Sequence, residues 1–268
     1  RILADELALS GSAADVGLIA RMAHAKELLE QGDMQGALRE LDAFLRVEPD
    51  EPRVLTLRGQ ILLASQRPKD ALDSLDRALA RKPDDTQALA LRGVANMQVG
   101  RPDAARADLE RAVSLDPASS ATQVNLSTFY LEVGRFPEAI AAAERALALE
   151  AQAIEPALVK ARALVALKQA DAALPMLEDL IQRAPEDGKV LETLGRVCVD
   201  RGEHGRAKPM LERAAKAQPR NGHVWFQLAR ATAGLGEVEA ARAAILKARE
   251  LGFRRPDLAE LEKALGAS

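Results

Sequence analysis

Apolar residues recur along this chain at helical rather than strand intervals. Leu191, Leu194, Gly195 and Cys198 fall at i, i+3, i+4 and i+7, one face of a helix. The break "GEHG" follows, and then a second stripe runs through Ala207, Leu211 and Ala214. Other pairs of stripes are split by "GDMQ", "QRPK", "GRPD", "GRFP", "KQAD" and "GEVE". Gly in such a break permits a left-handed stop, and Pro just after it suits a helix start. Segments such as "EPDEP", "KPDD" and "DPASS" close the pairs; proline ends one helix, and Asp, Ser or Thr caps the next. The pattern predicts helical hairpins in series.

The hairpins share one register. Ala37, Ala71, Ala105, Ala139, Ala173, Ala207 and Ala241 are 34 residues apart without insertion. Pro49, Pro83, Pro117, Pro185 and Pro219 keep the same period, with Ala151 and Phe253 in the two remaining places. A third column, Ala25, Gly59, Gly93, Ser127, Ala161, Gly195 and Ala229, is always small. A fourth reads Phe44, Ala78, Ala112, Ala146, Leu180, Ala214 and Ala248. Small residues let the two helices of a hairpin approach until a large side chain of one meets the backbone of the other. One hairpin cannot bury both its faces, so neighbours must stack and share a continuous core. The predicted units are 18–51, 52–85, 86–119, 120–153, 154–187, 188–221 and 222–255.

This periodicity resembles the tetratricopeptide repeat (TPR) family. In unit 222–255, Trp225, Leu228, Ala229, Gly236, Ala241 and Ala248 match the family's Trp, Leu, small, Gly and two Ala positions, and Tyr130 takes its Tyr place in 120–153. Trp is aliphatic in most units, and the terminal proline is lost at Ala151. The resemblance implies an all-α, right-handed α-solenoid of about seven hairpins, a superhelix.

The ends depart from the pattern. Leu258, Leu261 and Leu265 form one stripe in "RRPDLAELEKAL", which predicts a C-terminal capping helix over 256–268. Residues 1–17 read as an N-terminal helix or the remnant of an upstream repeat. Pro175 and Pro209, both in "PMLE", are expected near the end of a first turn, where a missing N–H costs least. The chain begins at Arg1, not Met, and so reads as a fragment or a processed form whose targeting signals lie outside it.

Composition narrows the function. Aromatics are 3% of residues, and the single cysteine, Cys198, excludes an intrachain disulfide or a Cys-based zinc site. No apolar run approaches membrane-spanning length. The net charge of −3 names no polyanionic partner, but charge is polarised along the chain. Residues 18–51 carry 4 Lys/Arg against 8 Asp/Glu, whereas 188–221 carry 8 against 4 and 222–255 carry 6 against 3. Such polarity favours steering of a partner or head-to-tail self-association.

Catalytic and cofactor motifs do not emerge. "GSAADVG" has neither a preceding strand nor a following Lys-Ser/Thr, so it is no phosphate loop. His24, His204 and His223 occupy different repeat positions. The expectation is a non-enzyme with no catalytic residues, metal or cofactor.

Surface remains as the carrier of function. In the resembled family the first helix of each unit lines a concave groove for peptides or helices. Carried over, the groove places Val94, Met97, Val124 and Leu131 in an apolar stretch, followed by Arg162, Arg196 and Arg230 with Phe226 beside them. The family's carboxylate clamp for chaperone tails is not matched, because Met22 stands in place of a clamp Lys and Lys26 in place of a clamp Asn. The plainer reading of the arginines is a solvated face, with Arg196 paired to Glu192 one turn earlier.

The reading is a protein–protein interaction scaffold taking a peptide or helix, acidic with apolar residues, within a bacterial multiprotein or envelope assembly. Abundant Ala and Arg point to a bacterial source, with cytoplasm and periplasm both open. The alternative is a substrate-recognition or regulatory arm of a larger enzyme. Nucleic-acid binding requires stacking aromatics near the basic units, and few are there, Trp225 and Phe226 among them.

Overall fold

A computed structural model describes residues 13–266. Fifteen helices and no strand occur among them: α1 Ala13–Glu30, α2 Met34–Leu45, α3 Pro52–Ala64, α4 Pro68–Arg81, α5 Thr86–Gln98, α6 Pro102–Leu115, α7 Ser120–Glu132, α8 Phe136–Leu149, α9 Ile154–Ala166, α10 Ala170–Arg183, α11 Gly188–Asp200, α12 His204–Ala217, α13 Gly222–Gly234, α14 Val238–Glu250 and α15 Pro256–Gly266. The fold is an all-α solenoid. The expectation for residues 1–17 falls mostly outside the described residues, and the chain is already helical from Ala13.

The chain divides into two compact units, Arg1–Phe129 and Tyr130–Ser268, with the boundary inside α7. In the first, α1 packs on α2, α3 on α4 and α5 on α6; α2 also meets α3, α4 meets α5, and the first helices α3 and α5 touch. In the second, α8 through α14 pack in chain order, α9 touches α11, and α11 touches α13. The helix α15 lies on α13 and α14, with Leu258 and Leu265 buried in the same core as Ala241, Ile245 and Ala248.

The repeat columns have clear structural causes. All seven alanines from Ala37 to Ala241 are fully buried. A Cβ on Gly195 would lie 2.7 Å from Leu211 Cγ, and Gly59 and Gly93 meet Leu75 and Leu109 in the same way. These glycines are therefore the floor on which a leucine of the second helix sits. Residues before the first helices supply caps: Asp85 accepts from Ala88 N–H, Asp187 from Lys189 and Val190 N–H, and Asn221 from His223 N–H. Ala153, in the same column, has no side chain to do so.

The hairpin turn demands positive φ in every unit. Gly32, Gly100, Gly134, Gly202 and Gly236 supply it easily, but Gln66 and Lys168 adopt it too, at 59° and 64°. Stacking thus holds two L-residues in a conformation that costs each roughly 1–2 kcal/mol. Pro175 and Pro209 correct the sequence reading. They lie inside α10 and α12, in the second turn, and both helices continue past them.

Candidate functional site

Arg58 and Arg92, on first helices of the first unit, are structural. Arg58 on α3 donates to Asp42 of the preceding hairpin at 2.7 Å and to Ser74 of its own. Arg92, 34 residues on, repeats this with Asp76 at 2.8 Å and both carboxylate oxygens of Asp108. The Asp108 hydrogen bonds hold the Arg92 guanidinium above the usual arginine range, against the pull of burial. Lys160 and Glu144 form the corresponding pair in the second unit, at 2.7 Å. Such bridges tie hairpin to hairpin and leave little free charge.

Arg162, Arg196 and Arg230 project from α9, α11 and α13, all in the second unit, but they are not equivalent. Arg162 is exposed. Arg230 donates to Asp200 at 2.8 Å and to Gln227 Oε1 at 3.0 Å, and lies 6.0 Å from the Phe226 ring centre. Arg196 is half-buried, and its buried Nε has no hydrogen-bond partner. Burial pulls its guanidinium below the usual arginine range, Glu192 opposes the shift, and the nearby charges of Arg162 and Arg230 add to it.

The pairing of Arg196 with Glu192 expected from helical spacing is not made. Glu192 is engaged by His223, 2.6 Å away on α13. The proton positions follow from the chain of contacts. Gln227 Oε1 accepts from Arg230, so the amide nitrogen donates to His223 Nε2 at 3.1 Å. His223 Nδ1 then carries the proton that it donates to Glu192. The acids one turn before and after Arg196, Glu192 and Asp200, are both committed to residues of the next hairpin.

Arg196, Asp200, His223, Gln227 and Arg230, but not Arg162, line a recess of about 350 Å³ with Val165, Ala166, Lys168, Phe226, Arg255 and Asp257. Arg255 and Asp257 come from the link into α15 and the start of that helix, which the sequence reading assigned only to capping. A second recess of about 510 Å³ is lined by Arg249, Phe253, Arg254, Arg255, Leu258 and Ala259, but Arg249 there is paired with Glu262. Lys168, one of the two strained turn residues, lines the first recess.

The apolar candidates are more buried than an open groove requires. Leu131 and Phe226 are 9% and 4% exposed. Phe226 stacks on Phe253 with ring centres 5.2 Å apart and also lines the recess. Val94, Met97 and Val124 are half-buried and lie in the first unit. Trp225 is half-buried against the core and donates to the Pro219 carbonyl at 3.1 Å. Phe226, stacked on Phe253 and buried, has no open face for stacking bases. Among the described residues no group of three or more His, Cys, Asp or Glu is placed to hold a metal, and no helix is long and apolar enough to cross a membrane.

Family models described as tetratricopeptide repeat match residues 22–86 and 56–121, and again 96–163, 131–197 and 199–265. Comparison with curated proteins gives no match. Among solved structures, a tetratricopeptide repeat protein from Parabacteroides merdae ATCC 43184 is 19% identical, with a TM-score of 0.69 over 93% of this chain and 98% of that one. The Cut9-Hcn1 hetero-tetramer of the APC/C gives a TM-score of 0.73 at 18% identity, over 92% of this chain and 48% of that one. YrrB, described as a TPR protein with an unusual peptide-binding site, gives 0.50 at 17% identity, over 70% and 97%. At these identities the likeness is one of fold.

Proposed function

The chain belongs to the tetratricopeptide repeat family, and from that premise we propose that it is a protein-interaction scaffold, not an enzyme, that binds an acidic segment of a partner protein along Arg162, Arg196 and Arg230. One observation carries this reading. Arg196 keeps a half-buried guanidinium whose Nε has no hydrogen-bond partner among the described residues, while Arg58 and Arg92, on the corresponding helices of the first unit, are engaged. A partly desolvated cation with an unsatisfied donor is costly to the free protein. An incoming carboxylate removes that cost and gains charge-assisted hydrogen bonds of about 1.5–3 kcal/mol each where water is excluded. YrrB, described as a TPR protein with an unusual peptide-binding site, supports the peptide-binding part of this reading. The assembly we propose is bacterial, of the multiprotein or envelope kind.

The test is fluorescence anisotropy with a peptide carrying acidic residues followed by apolar ones. Replacing Arg162, Arg196 and Arg230 together with Gln should abolish binding, leaving the helical circular-dichroism signal and melting temperature close to wild type. Gln suits the half-buried Arg196 site better than Glu, because a buried carboxylate would carry its own desolvation cost. Binding should also weaken steeply with salt. A folded triple variant that holds the peptide with unchanged affinity and salt dependence would reduce the column to a solvated face.

A further inference from the structure

We infer that the recess beside Arg196 is a receptor for one carboxylate group, completed by Arg255 from the link into α15, and that it anchors the acidic segment in a fixed register. The inference rests on the reading above and adds the point of attachment.

Three observations carry it. Arg196 lines the recess, and its buried Nε has no hydrogen-bond partner among the described residues. Its two helical neighbours of opposite charge make their hydrogen bonds elsewhere: Glu192 is held by His223 and Asp200 by Arg230. Those bonds come from side chains of α13, so the unpartnered Nε of Arg196 is a product of the hairpin interface and not of a missing acid. Finally, Lys168 and Arg255 add two cations to the lining, and neither has an ion pair among the described residues.

The chemistry favours a carboxylate over a phosphate. Arg230 already takes a carboxylate within the same recess, that of Asp200 at 2.8 Å. A planar guanidinium matches a carboxylate edge to edge with two parallel hydrogen bonds. Asp200 and Asp257 on the lining repel a dianion more strongly than a monoanion. Phe226 and Val165 give the methylene stem of an acidic side chain an apolar wall.

The test follows the Nε–H resonance of Arg196 by NMR in the whole chain, assigned by its loss in Arg196→Gln. Acetate should shift it saturably, and sodium chloride at equal ionic strength should leave it in place. The exposed Arg255→Gln variant, which the core does not depend on, should weaken acetate binding about tenfold, the equivalent of one charge-assisted contact. An Arg196 signal that acetate does not move, in a protein that still binds acidic peptide through its arginines, overturns the receptor and leaves the scaffold reading intact. Saturable acetate binding at Arg196 with no peptide binding does the reverse. Tighter binding of inorganic phosphate than of acetate overturns the assignment to a carboxylate.

Discussion

Ala207→Phe is expected to destabilise the protein by about 3 kcal/mol through overpacking, read as a fall in melting temperature of roughly 6–12 °C. Ala207 is fully buried in the core that spans α9 through α15 of the second unit. Its helix, α12, is held close to α11 because Gly195 has no side chain to hold off Leu211. A phenyl ring at 207 has no free volume to enter, so the helices must separate and lose the Gly195–Leu211 contact as well. Each hairpin is stabilised chiefly by its neighbours, so the damage should reach α9–α10 and α13–α14. Ala240→Phe is the control. It precedes Ala241 of the same column but is exposed, and should melt with wild type. An Ala207→Phe protein that melts like wild type would refute the register.

Deleting residues 256–268 should have a comparable effect by another route. Leu258 and Leu265 of α15 are 2% and 8% exposed, and burying a leucine contributes roughly 1.5–3 kcal/mol. Their loss therefore costs about 3–6 kcal/mol before the remainder relaxes. The deletion also removes the hydrogen bond from Arg242 to the Leu265 carbonyl and the pairing of Arg249 with Glu262. Apolar surface of the last hairpin becomes exposed. Increased binding of a hydrophobic dye, a lower melting temperature and aggregation are the expected readouts. A truncated chain as stable and monodisperse as the full one would make α15 a passive tail.

The fold was legible because its information is local and repeated seven times. One alanine column and one small column set the hairpin crossings, and the structure buries both. The turns were only partly legible. Five show glycine, whereas Gln66 and Lys168 adopt the same backbone because their neighbours impose it. Pro175 and Pro209 were placed too early in their helices, since helix starts without a capping side chain leave little trace in sequence.

The site was legible as a column and not as an environment. Arg162, Arg196 and Arg230 share a repeat position, yet one is exposed, one is unpartnered and half-buried, and one is paired. Glu192 looked like the partner of Arg196 at four residues' distance. It belongs to His223, thirty-one residues away, and only the stacking of α11 on α13 brings them together. Arg255 and Asp257 lie outside the repeat, so no periodicity could assign them to the recess.

The most direct measurement compares peptides of identical composition that differ only in the spacing of their acidic residues. Packed helices lie about 8–10 Å apart, and an extended peptide advances about 3.3 Å per residue, so one arginine per hairpin matches an acid at every third position. The period-three peptide should bind at least about tenfold tighter than one with its acids clustered, a difference of about 1.4 kcal/mol, and the Arg162, Arg196 and Arg230 triple variant should erase that difference. Equal affinity of the two peptides for the wild-type chain would contradict a binding surface ruled by the 34-residue repeat.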